Sequence, residues 1–250
     1  MRIDDHKSFM NIENEEVVIL YSGRLNFLAK ANPFPLLFSA EQIASEAKVP
    51  ISIIFHGYFN DDFNKQSFEV AVNQICKVCR VIFVKHNDNN FSDGVWAASD
   101  IFCSLSDNVQ ESFGLTPIEA MAAGLPVVVT DWDGYRDTVR NGIDGYTIPT
   151  LMPPQDAGED IAYKYFSGQT HYGDYLAAIQ QSTAVNIREL TNALKTLINN
   201  PEQRHQMGQT AKERAKSVFD WVKIIPAYEE LWSELDKRRN SEKPQQLTQR

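Results

Sequence analysis

Short apolar, β-branched stretches alternate with helix-like stretches along residues 17–148 of the 250-residue chain. Apolar runs without polar interruption are typical of strands that are buried on both faces of a parallel sheet. The pattern predicts strands at 17–21, 51–55, 81–84, 101–105, 126–130 and 145–148. Helices are predicted between them at about 34–48, 63–79, 94–98, 117–123 and 135–140. The alternation predicts an α/β fold with a doubly wound, Rossmann-like parallel sheet, in which ligands bind beyond the carboxyl ends of the strands.

The rest of the chain has a different pattern. Residues 1–16 form an acidic lead-in, and between 149 and 186 Pro, Gly and Tyr interrupt the periodicity, so we interpret that segment as an insertion or a lid-like excursion of the 17–238 lobe. Apolar residues then recur at helical spacing after a start signal at Asn186 and Glu189. Further helices are predicted after Pro201 and at about 225–235, which makes 187–238 a helical tail and 239–250 a polar, frayed end.

Composition narrows the class of protein. The net charge of −9 argues against binding to nucleic acid or to an acidic membrane surface, and 43% hydrophobic residues exclude a disordered chain. The sequence has no apolar run of the roughly 18 residues that span a bilayer. The three cysteines are too few for a disulfide framework, so we expect a cytoplasmic protein. Cys76 and Cys79 are interpreted as small, half-buried residues on a helix rather than as a redox or metal site.

The stretch from Glu111 to Pro126 contains the strongest candidates for chemistry. It opens a predicted helix, with Thr116 expected at the N-cap, Pro117 at the first helical position and Glu119 closing a capping box. A helix N-terminus at this edge of a sheet binds anions through its free N–H groups, and Gly114 allows the backbone to approach a ligand. The sequence therefore predicts a phosphate site at the start of this helix.

Two carboxylates, those of Glu111 and Glu119, flank the expected phosphate site, although like charge would repel a phosphate. Carboxylates are better suited to accept hydrogen bonds from hydroxyl groups such as those of a sugar or ribose. A phosphate with hydroxyl-rich groups on either side describes a nucleotide sugar. Two simpler interpretations stay open: Glu119 serves only the capping box, and Glu111 is an exposed loop acid.

A second group of candidates follows the first predicted strand. Gly23 is expected to turn the chain off the sheet, and Arg24 and Lys30 place two cations where the strand ends. A guanidinium binds phosphate oxygens at two points and an ammonium adds a point charge, so the pair would offset a diphosphate. The alternative is that both cations are solvated surface residues.

The two loops together resemble the group 1 (family 4) retaining glycosyltransferases. The resemblance rests on the spacing of Glu111 and Glu119, the flanking Phe113-Gly114-Leu115, the run from Glu119 to Val128, and Gly23-Arg24-Leu25. It covers about residues 17–148 and 187–235. It implies the C-terminal, donor-binding lobe of a GT-B enzyme, with the acceptor lobe supplied by the same or another chain.

The resemblance also implies roles for individual residues. Glu111, the catalytic candidate, would hold and orient the transferred sugar; Arg24 and Lys30, with the amides around residue 114, would contact the diphosphate. Glu119 would hold the ribose. The loop Lys85-His86-Asn87 would lie beside the base, although a lone His is more often a hydrogen-bonded surface residue. The full set of expected site residues is Gly23, Arg24, Lys30, His86, Glu111, Ser112, Phe113, Gly114, Leu115, Thr116 and Glu119.

The implied reaction moves a hexose from a UDP-, GDP- or ADP-sugar to an unknown acceptor (a sugar, lipid or protein), with retention and without a cofactor or metal. Asp131 and Asp133 come nearest to an Asp-x-Asp metal motif, but they lie in a loop that resembles the family's Gly-rich donor loop. The sequence departs from the family's usual pattern in two ways. Lys30 follows Arg24 by six residues rather than five, and the sequence shows no acceptor lobe.

The final Phe219-Asp220-Trp221 and the helix after it resemble the family's tail that returns to the acceptor lobe, which predicts an exposed apolar surface. Two other functions remain as alternatives. The first is a non-catalytic module that binds a nucleotide sugar. The second is a flavodoxin-like phosphoacceptor or cofactor binder, although the sequence has neither the Asp cluster nor the Gly-x-Gly-x-x-Gly run that it would need.

Overall fold

A computed structural model describes residues 7, 10–28, 30, 32–86, 94–107, 109 and 111–241. Asn87 and parts of both predicted terminal segments, residues 1–6, 8–9 and 242–250, lie outside the described residues. The strands are β1 Val17–Leu25, β2 Ile51–Phe59, β3 Arg80–Lys85, β4 Ile101–Ser104, β5 Val127–Thr130, β6 Gly145–Ile148, β7 Thr150–Leu151 and β8 Ala184–Val185. The helices are α1 Phe34–Glu46, α2 Asp62–Ile75, α3 Gly94–Ala98, α4 Leu115–Ala123, α5 Tyr135–Thr138, α6 Glu159–Phe166, α7 Tyr172–Gln181, α8 Ile187–Asn199, α9 Pro201–Arg214 and α10 Trp221–Ser241.

Strands β1 to β6 form one parallel sheet in the order β3-β2-β1-β4-β5-β6, which confirms the predicted Rossmann-like architecture. The order reverses between β1 and β4. Connections leave these two strands toward opposite sides, so a crevice opens beyond their carboxyl ends. The topology therefore locates the candidate site between the loops after β1 and β4.

The predicted turn at Gly23 is wrong, because β1 and β2 run longer than their apolar stretches. Backbone pairing continues through Gly23 opposite Gly57 and Arg24 opposite Tyr58. A Cβ on Gly57 would lie 1.8 Å from the Gly23 carbonyl oxygen, so a glycine there is required by the close approach of the two strands. The extension carries polar side chains of both strands to the edge of the crevice.

Helices cover both faces of the sheet, and each face has its own core. Alternate residues of β1 divide between the cores: Ile19 packs with α1, α2 and α8, whereas Leu20 packs with α3, α4 and α9. The sheet is therefore buried on both sides, as the uninterrupted apolar strands predict.

The segment around Cys76 and Cys79 differs from the prediction. Helix α2 ends at Ile75, so the prediction of a helix that carries both cysteines is wrong. Cys76 is the C-cap residue, and the buried Cys79 lies in the turn before β3. The turn is held by the Glu41 carboxylate, which accepts hydrogen bonds from the N–H groups of Val78 and Cys79. Because these N–H groups bond to a side chain, the α2 hydrogen-bond ladder does not continue.

Residues 149–186, interpreted from the sequence as an insertion or a lid-like excursion, contain regular elements that their Pro and Gly content does not predict. The antiparallel pair β7–β8 closes the base of the segment, and α6 and α7 lie above it. Gln180 of α7 donates a hydrogen bond from Nε2 to the Phe27 carbonyl oxygen at 3.3 Å. The segment is thus a helical insertion that contacts the loop after β1.

The first helix of the tail, α8, begins where it is predicted, and the last helix, α10, ends later than predicted. Asn186 caps α8 by accepting from the Glu189 N–H at 3.1 Å. Helix α10 reaches Ser241, six residues beyond the predicted end, and none of its residues is buried. Its apolar side chains are exposed, as predicted: Trp221, Val222, Ile225, Tyr228, Leu231, Trp232 and Leu235.

Candidate functional site

Helix α4 begins two residues earlier than its capping signals predict, because its N-cap is Gly114 rather than Thr116. Gly114 has φ +76°, and a Cβ there would lie 2.3 Å from Cε1 of Tyr135, so only glycine fits. Thr116 and Pro117 lie inside the first turn, and the N-cap makes no side-chain hydrogen bond. The predicted Thr116 N-cap and Glu119 capping box are therefore wrong, which leaves the N-terminus of α4 without a side-chain cap and suited to an anion.

Glu111 is not an exposed loop acid: only 8% of the residue is accessible. Its Oε2 accepts a hydrogen bond from the Lys30 ammonium, in a salt bridge that joins the loops after β1 and β4. Its Oε1 lies beside Gly114, where an added Cβ would be 3.3 Å away. The structure thus brings together the predicted acid and the predicted cation, at the point where the chain enters α4.

Two buried tyrosines surround this ion pair. The Tyr135 hydroxyl lies 3.0 Å from the Ser104 Oγ, and the Tyr21 hydroxyl donates to the Arg24 carbonyl at 3.1 Å. Burial, and next the negative charge of Glu111, raises the pKa of both phenols, so both stay neutral. Their hydrogen bonds fix the backbone at Arg24 and the floor beneath Gly114.

A cavity of about 800 Å³ opens at the carboxyl ends of β1, β2 and β3 and beneath α4. Six expected site residues line it: Gly23, Arg24, His86, Leu115, Thr116 and Glu119. Glu119 is exposed on the wall formed by α4. Cationic, anionic and helix-terminal groups therefore face one space, as a ligand with both phosphate and hydroxyl groups requires.

The other expected residues lie beside this cavity rather than on its wall. Lys30 and Glu111 form their ion pair next to Gly114. Ser112 and Phe113 are exposed. The centroid of the Phe113 ring lies 6.5 Å from that of Phe219, which is two residues before the start of α10.

The sequence prediction missed several lining residues, namely Ser22, His56, Gly57, Tyr58, Trp96 and Ala123. For Ser22, His56 and Tyr58 the signal that could have found them is the period of two along a strand. Ser22 continues the face of Leu20, and His56 and Tyr58 continue the face of Ile54. Because the predicted β1 and β2 end at their last apolar residues, 21 and 55, the prediction does not include these positions. His56 is 2% exposed, and its Nδ1 lies 2.9 Å from the Ser22 Oγ.

Asp107, just beyond β4, is a further buried carboxyl that the prediction missed. It is 1% exposed, and its Oδ1 has no hydrogen-bond partner among the described residues. Burial raises the pKa of Asp107 to about 8, which favours the protonated form at neutral pH. It lies near enough to Tyr21 for its charge to raise the pKa of that phenol as well.

The loop after β5 packs against the loop that contains Glu111. A Cβ on Gly134 would lie 2.1 Å from the Ser112 carbonyl oxygen, so the two backbones are in direct contact. Asp131 accepts from the Arg136 Nε at 2.8 Å, which holds its carboxylate in an ion pair. In the part of the chain that the structure describes, no three His, Cys, Asp or Glu side chains cluster as metal ligands would.

The fold, the helix N-terminus and the paired loops define a Rossmann-like α/β lobe. Residues 2–163 match the family model of the glycosyl transferases group 1, and the chain belongs to this family. Over 242 residues it is 24% identical to spore coat protein SA of Bacillus subtilis, covering 94% of this chain and 52% of that protein. The chain thus spans about half the length of this relative.

Solved structures with the same fold are GT-B glycosyltransferases. Sucrose-phosphate synthase from Thermosynechococcus elongatus superposes with a TM-score of 0.68 at 21% identity, over 95% of this chain and 50% of that one. Anabaena HepE, solved with UDP and glucose, gives 0.65 at 18% identity over 92% and 51%. The C-terminal domain of the group 1 protein LpcC from Francisella tularensis gives 0.60 at 16% identity over 87% and 92%.

None of the helices in the described residues combines the length and the apolar character needed to cross a bilayer. Even α10, the longest at 21 residues, carries several charged side chains.

Proposed function

We propose that this chain binds the nucleotide-sugar donor of a retaining glycosyltransferase and takes part in the transfer of a hexose from a UDP-, GDP- or ADP-sugar. One observation carries the proposal: Arg24, Glu119 and the N-terminus of α4 face the same cavity, at the point where the strand order reverses. This arrangement suits a diphosphate that is joined to ribose and to a second hydroxyl-rich group.

Each part of the cavity has a proposed partner on the donor. The Arg24 guanidinium and the N–H groups at the start of α4 bind the diphosphate. Glu119 accepts hydrogen bonds from the ribose, and His86 lies at the end that receives the base. HepE, which shares the fold, was solved with UDP-glucose as well as with UDP and glucose, and this supports a uridine nucleotide as the first donor to test.

The proposed chemistry depends on charge that develops at the leaving phosphate. Arg24, Lys30 and the helix N-terminus stabilise this charge as the bond to the sugar breaks, with no metal ion required. Glu111 orients the sugar hydroxyls and favours positive character at the anomeric carbon. The salt bridge to Lys30 supports this division of roles, because it holds the acid for the sugar next to a cation for the phosphate.

The exposed apolar side of α10 is the proposed contact with an acceptor-binding lobe. Trp221 is 71% exposed and Trp232 is 59% exposed, on a helix with no buried residue. A contiguous apolar surface of this kind is typical of an interface rather than of a solvated helix. The lobe belongs either to the same protein or to another chain, and it supplies the acceptor site.

Calorimetry of the purified chain against UDP-, GDP- and ADP-sugars tests donor binding. We expect one nucleotide class to bind, and Arg24→Ala or Glu119→Gln to weaken its binding by about tenfold or more. Arg188→Ala and Glu229→Gln, which change exposed residues of α8 and α10, are the matched controls. Failure of every donor to bind, or equal affinity of all four variants, contradicts the proposal.

Retention and catalysis need the chain together with an acceptor-binding lobe. Proton NMR of the first product formed from an α-linked donor should show an α-linkage, and Glu111→Gln should slow transfer by at least about 100-fold while the donor still binds. A β-linked product contradicts retention. Tight donor binding without any transfer would favour the non-catalytic module instead.

A further inference from the structure

Three side chains cross the floor of the cavity in a row, from β1 through β2 to the end of β3. Ser22 and His56 are direct neighbours in the β1–β2 register, and the ring centroid of His86 lies 5.3 Å from that of His56. All three line the cavity. None of the charged groups that would bind phosphate or ribose belongs to this row.

The central member of the row has an unused polar atom. His56 is 2% exposed, and its Nδ1 lies 2.9 Å from the Ser22 Oγ. Its Nε2 is buried and has no hydrogen-bond partner among the described residues. A buried polar atom without a partner is unfavourable, so an imidazole held in this way is suited to a ligand that supplies the missing bond.

His56 is poorly suited to phosphate. Burial, and next the nearby His86, lowers the pKa of His56, so its ring is neutral at physiological pH. Phosphate binding is better served by the Arg24 guanidinium and by the α4 N-terminus, and ribose hydroxyls by Glu119. The remaining part of a nucleotide is its base, which is neutral and has polar edges.

The surroundings of His56 favour the same assignment. Tyr58 and Trp96 also line the cavity, and their flat side chains provide surfaces on which an aromatic base stacks. We propose that His56 Nε2 forms a hydrogen bond with the edge of the donor's nucleobase and makes His56 a base-selecting residue. This inference rests on the proposed function of the cavity as a nucleotide-sugar site.

Ser22 has a positioning role in this arrangement. Its hydroxyl either donates to Nδ1 or accepts from it, so the serine holds the ring in both tautomers. The bound base then determines whether Nε2 donates or accepts. A base that places no polar group opposite Nε2 leaves a buried nitrogen unpaired, and such a mismatch discriminates strongly between ligands.

Two substitutions separate the two ring nitrogens. In His56→Asn an amide replaces Nδ1, which keeps the contact to Ser22 but leaves nothing at the Nε2 position; in His56→Gln an amide reaches the Nε2 position. Calorimetry should compare UMP, GMP and AMP with ribose 5-phosphate. We expect His56→Asn to bind the preferred nucleotide about tenfold more weakly, His56→Gln to recover part of that loss, and ribose 5-phosphate to bind all three proteins equally.

The unmodified chain provides a second measurement, which does not depend on the stability of a variant. In nitrogen-15 NMR, the Nε2 resonance of His56 should shift on addition of the preferred nucleotide and stay unchanged on addition of ribose 5-phosphate. An unchanged Nε2 with a nucleotide that binds and requires Arg24 overturns the base contact but leaves the proposed function intact. Equal losses for nucleotide and ribose 5-phosphate also overturn it, and failure of all nucleotides to bind overturns both proposals.

Discussion

The edge of the sheet around Glu111 and the 149–186 insertion are both rich in tyrosine, but their tyrosines have opposite surroundings. At the sheet edge, Tyr21 and Tyr135 are at most 3% exposed and hydrogen-bonded through their hydroxyls. In the insertion, Tyr163 is 65% exposed, and Tyr165 and Tyr175 stack on each other at 4.9 Å. Aromatic content therefore says little about a region until the packing is known.

The difference predicts how each region tolerates change. At the sheet edge Tyr21, Glu111 and Tyr135 are buried and hydrogen-bonded to neighbouring groups, so a substitution there has little room to relax. Helix α6 of the insertion has no buried residue, so most of its side chains face solvent in the folded and unfolded states alike. Stability should be sensitive to substitution at the sheet edge and insensitive in the insertion.

The largest effect is expected from a pair of glycines with similar, positive φ angles. Gly114 has φ +76° and Gly168 of the insertion has φ +73°. Alanine at either position costs about 1–2 kcal/mol for the left-handed conformation, but at position 114 its Cβ also meets the Tyr135 ring. We expect Gly114→Ala to lower the free energy of unfolding by about 3 kcal/mol or more and to abolish donor binding, as measured by urea titration and calorimetry. Equal losses in the two variants would contradict the comparison.

The pH dependence of stability tests the buried Asp107. Its folded-state pKa of about 8 lies above the ordinary value of 3.8, so the folded state holds the proton that the unfolded state releases. The contribution of this group is therefore complete below about pH 4 and is lost as the pH rises toward 8. We expect Asp107→Asn to remove this decline and to be more stable than the unmodified protein by on the order of 2 kcal/mol at pH 7. Parallel stability curves for the two proteins, measured by denaturant titration from pH 5 to 8, would refute it.

A smaller effect on the free energy of unfolding is expected when the lysine of a buried or of an exposed salt bridge is replaced. Lys30→Met leaves the Glu111 carboxylate buried without its cation, and should lower the free energy of unfolding by about 1–3 kcal/mol. Lys195→Met removes the exposed partner of Glu46 and should change it by less than about 0.5 kcal/mol. Adding Glu111→Gln to Lys30→Met should restore part of the lost stability. The double variant being the least stable of the three would contradict this account.

The smallest effect is expected at Phe166, which is 91% exposed at the end of α6. Phe166→Ser should change the midpoint of thermal unfolding by no more than a degree or two, corresponding to less than about 0.5 kcal/mol. Differential scanning fluorimetry is sufficient to measure it. A loss above about 1 kcal/mol would show that the insertion buries this ring against a surface, which would remove the contrast with the sheet edge.

Most of the sheet could be predicted from the sequence. All six strands were found, because strands buried on both faces must be apolar throughout and stand out from the helices between them. The ends of β1 and β2 were missed, since their last residues are polar or glycine and pair through the backbone. The two helices within the 149–186 segment were not predicted, because Pro and Gly mark the turns of short helices as well as loops.

The site could be predicted in part. Arg24, Glu119 and the start of α4 were found through motif spacing, and they do line one cavity. The N-cap was misplaced by two residues, because a serine, threonine or aspartate is the usual cap and Gly114 needs the Tyr135 ring to explain it. His56 was missed because the predicted β2 ends before it, and Asp107 was missed because a single polar residue after an apolar strand carries no local signal of burial.

The sequence by itself determined the fold class, the family resemblance and the two loops that carry the charged groups, because these depend on local periodicity and spacing. Only the tertiary structure decided which groups meet: that Lys30 pairs with Glu111, that Arg24 and Glu119 share a cavity, and that His56 keeps a buried nitrogen without a partner. The reason is physical, since ion pairing and desolvation depend on distances across the sheet between residues far apart in the chain, such as Lys30 and Glu111.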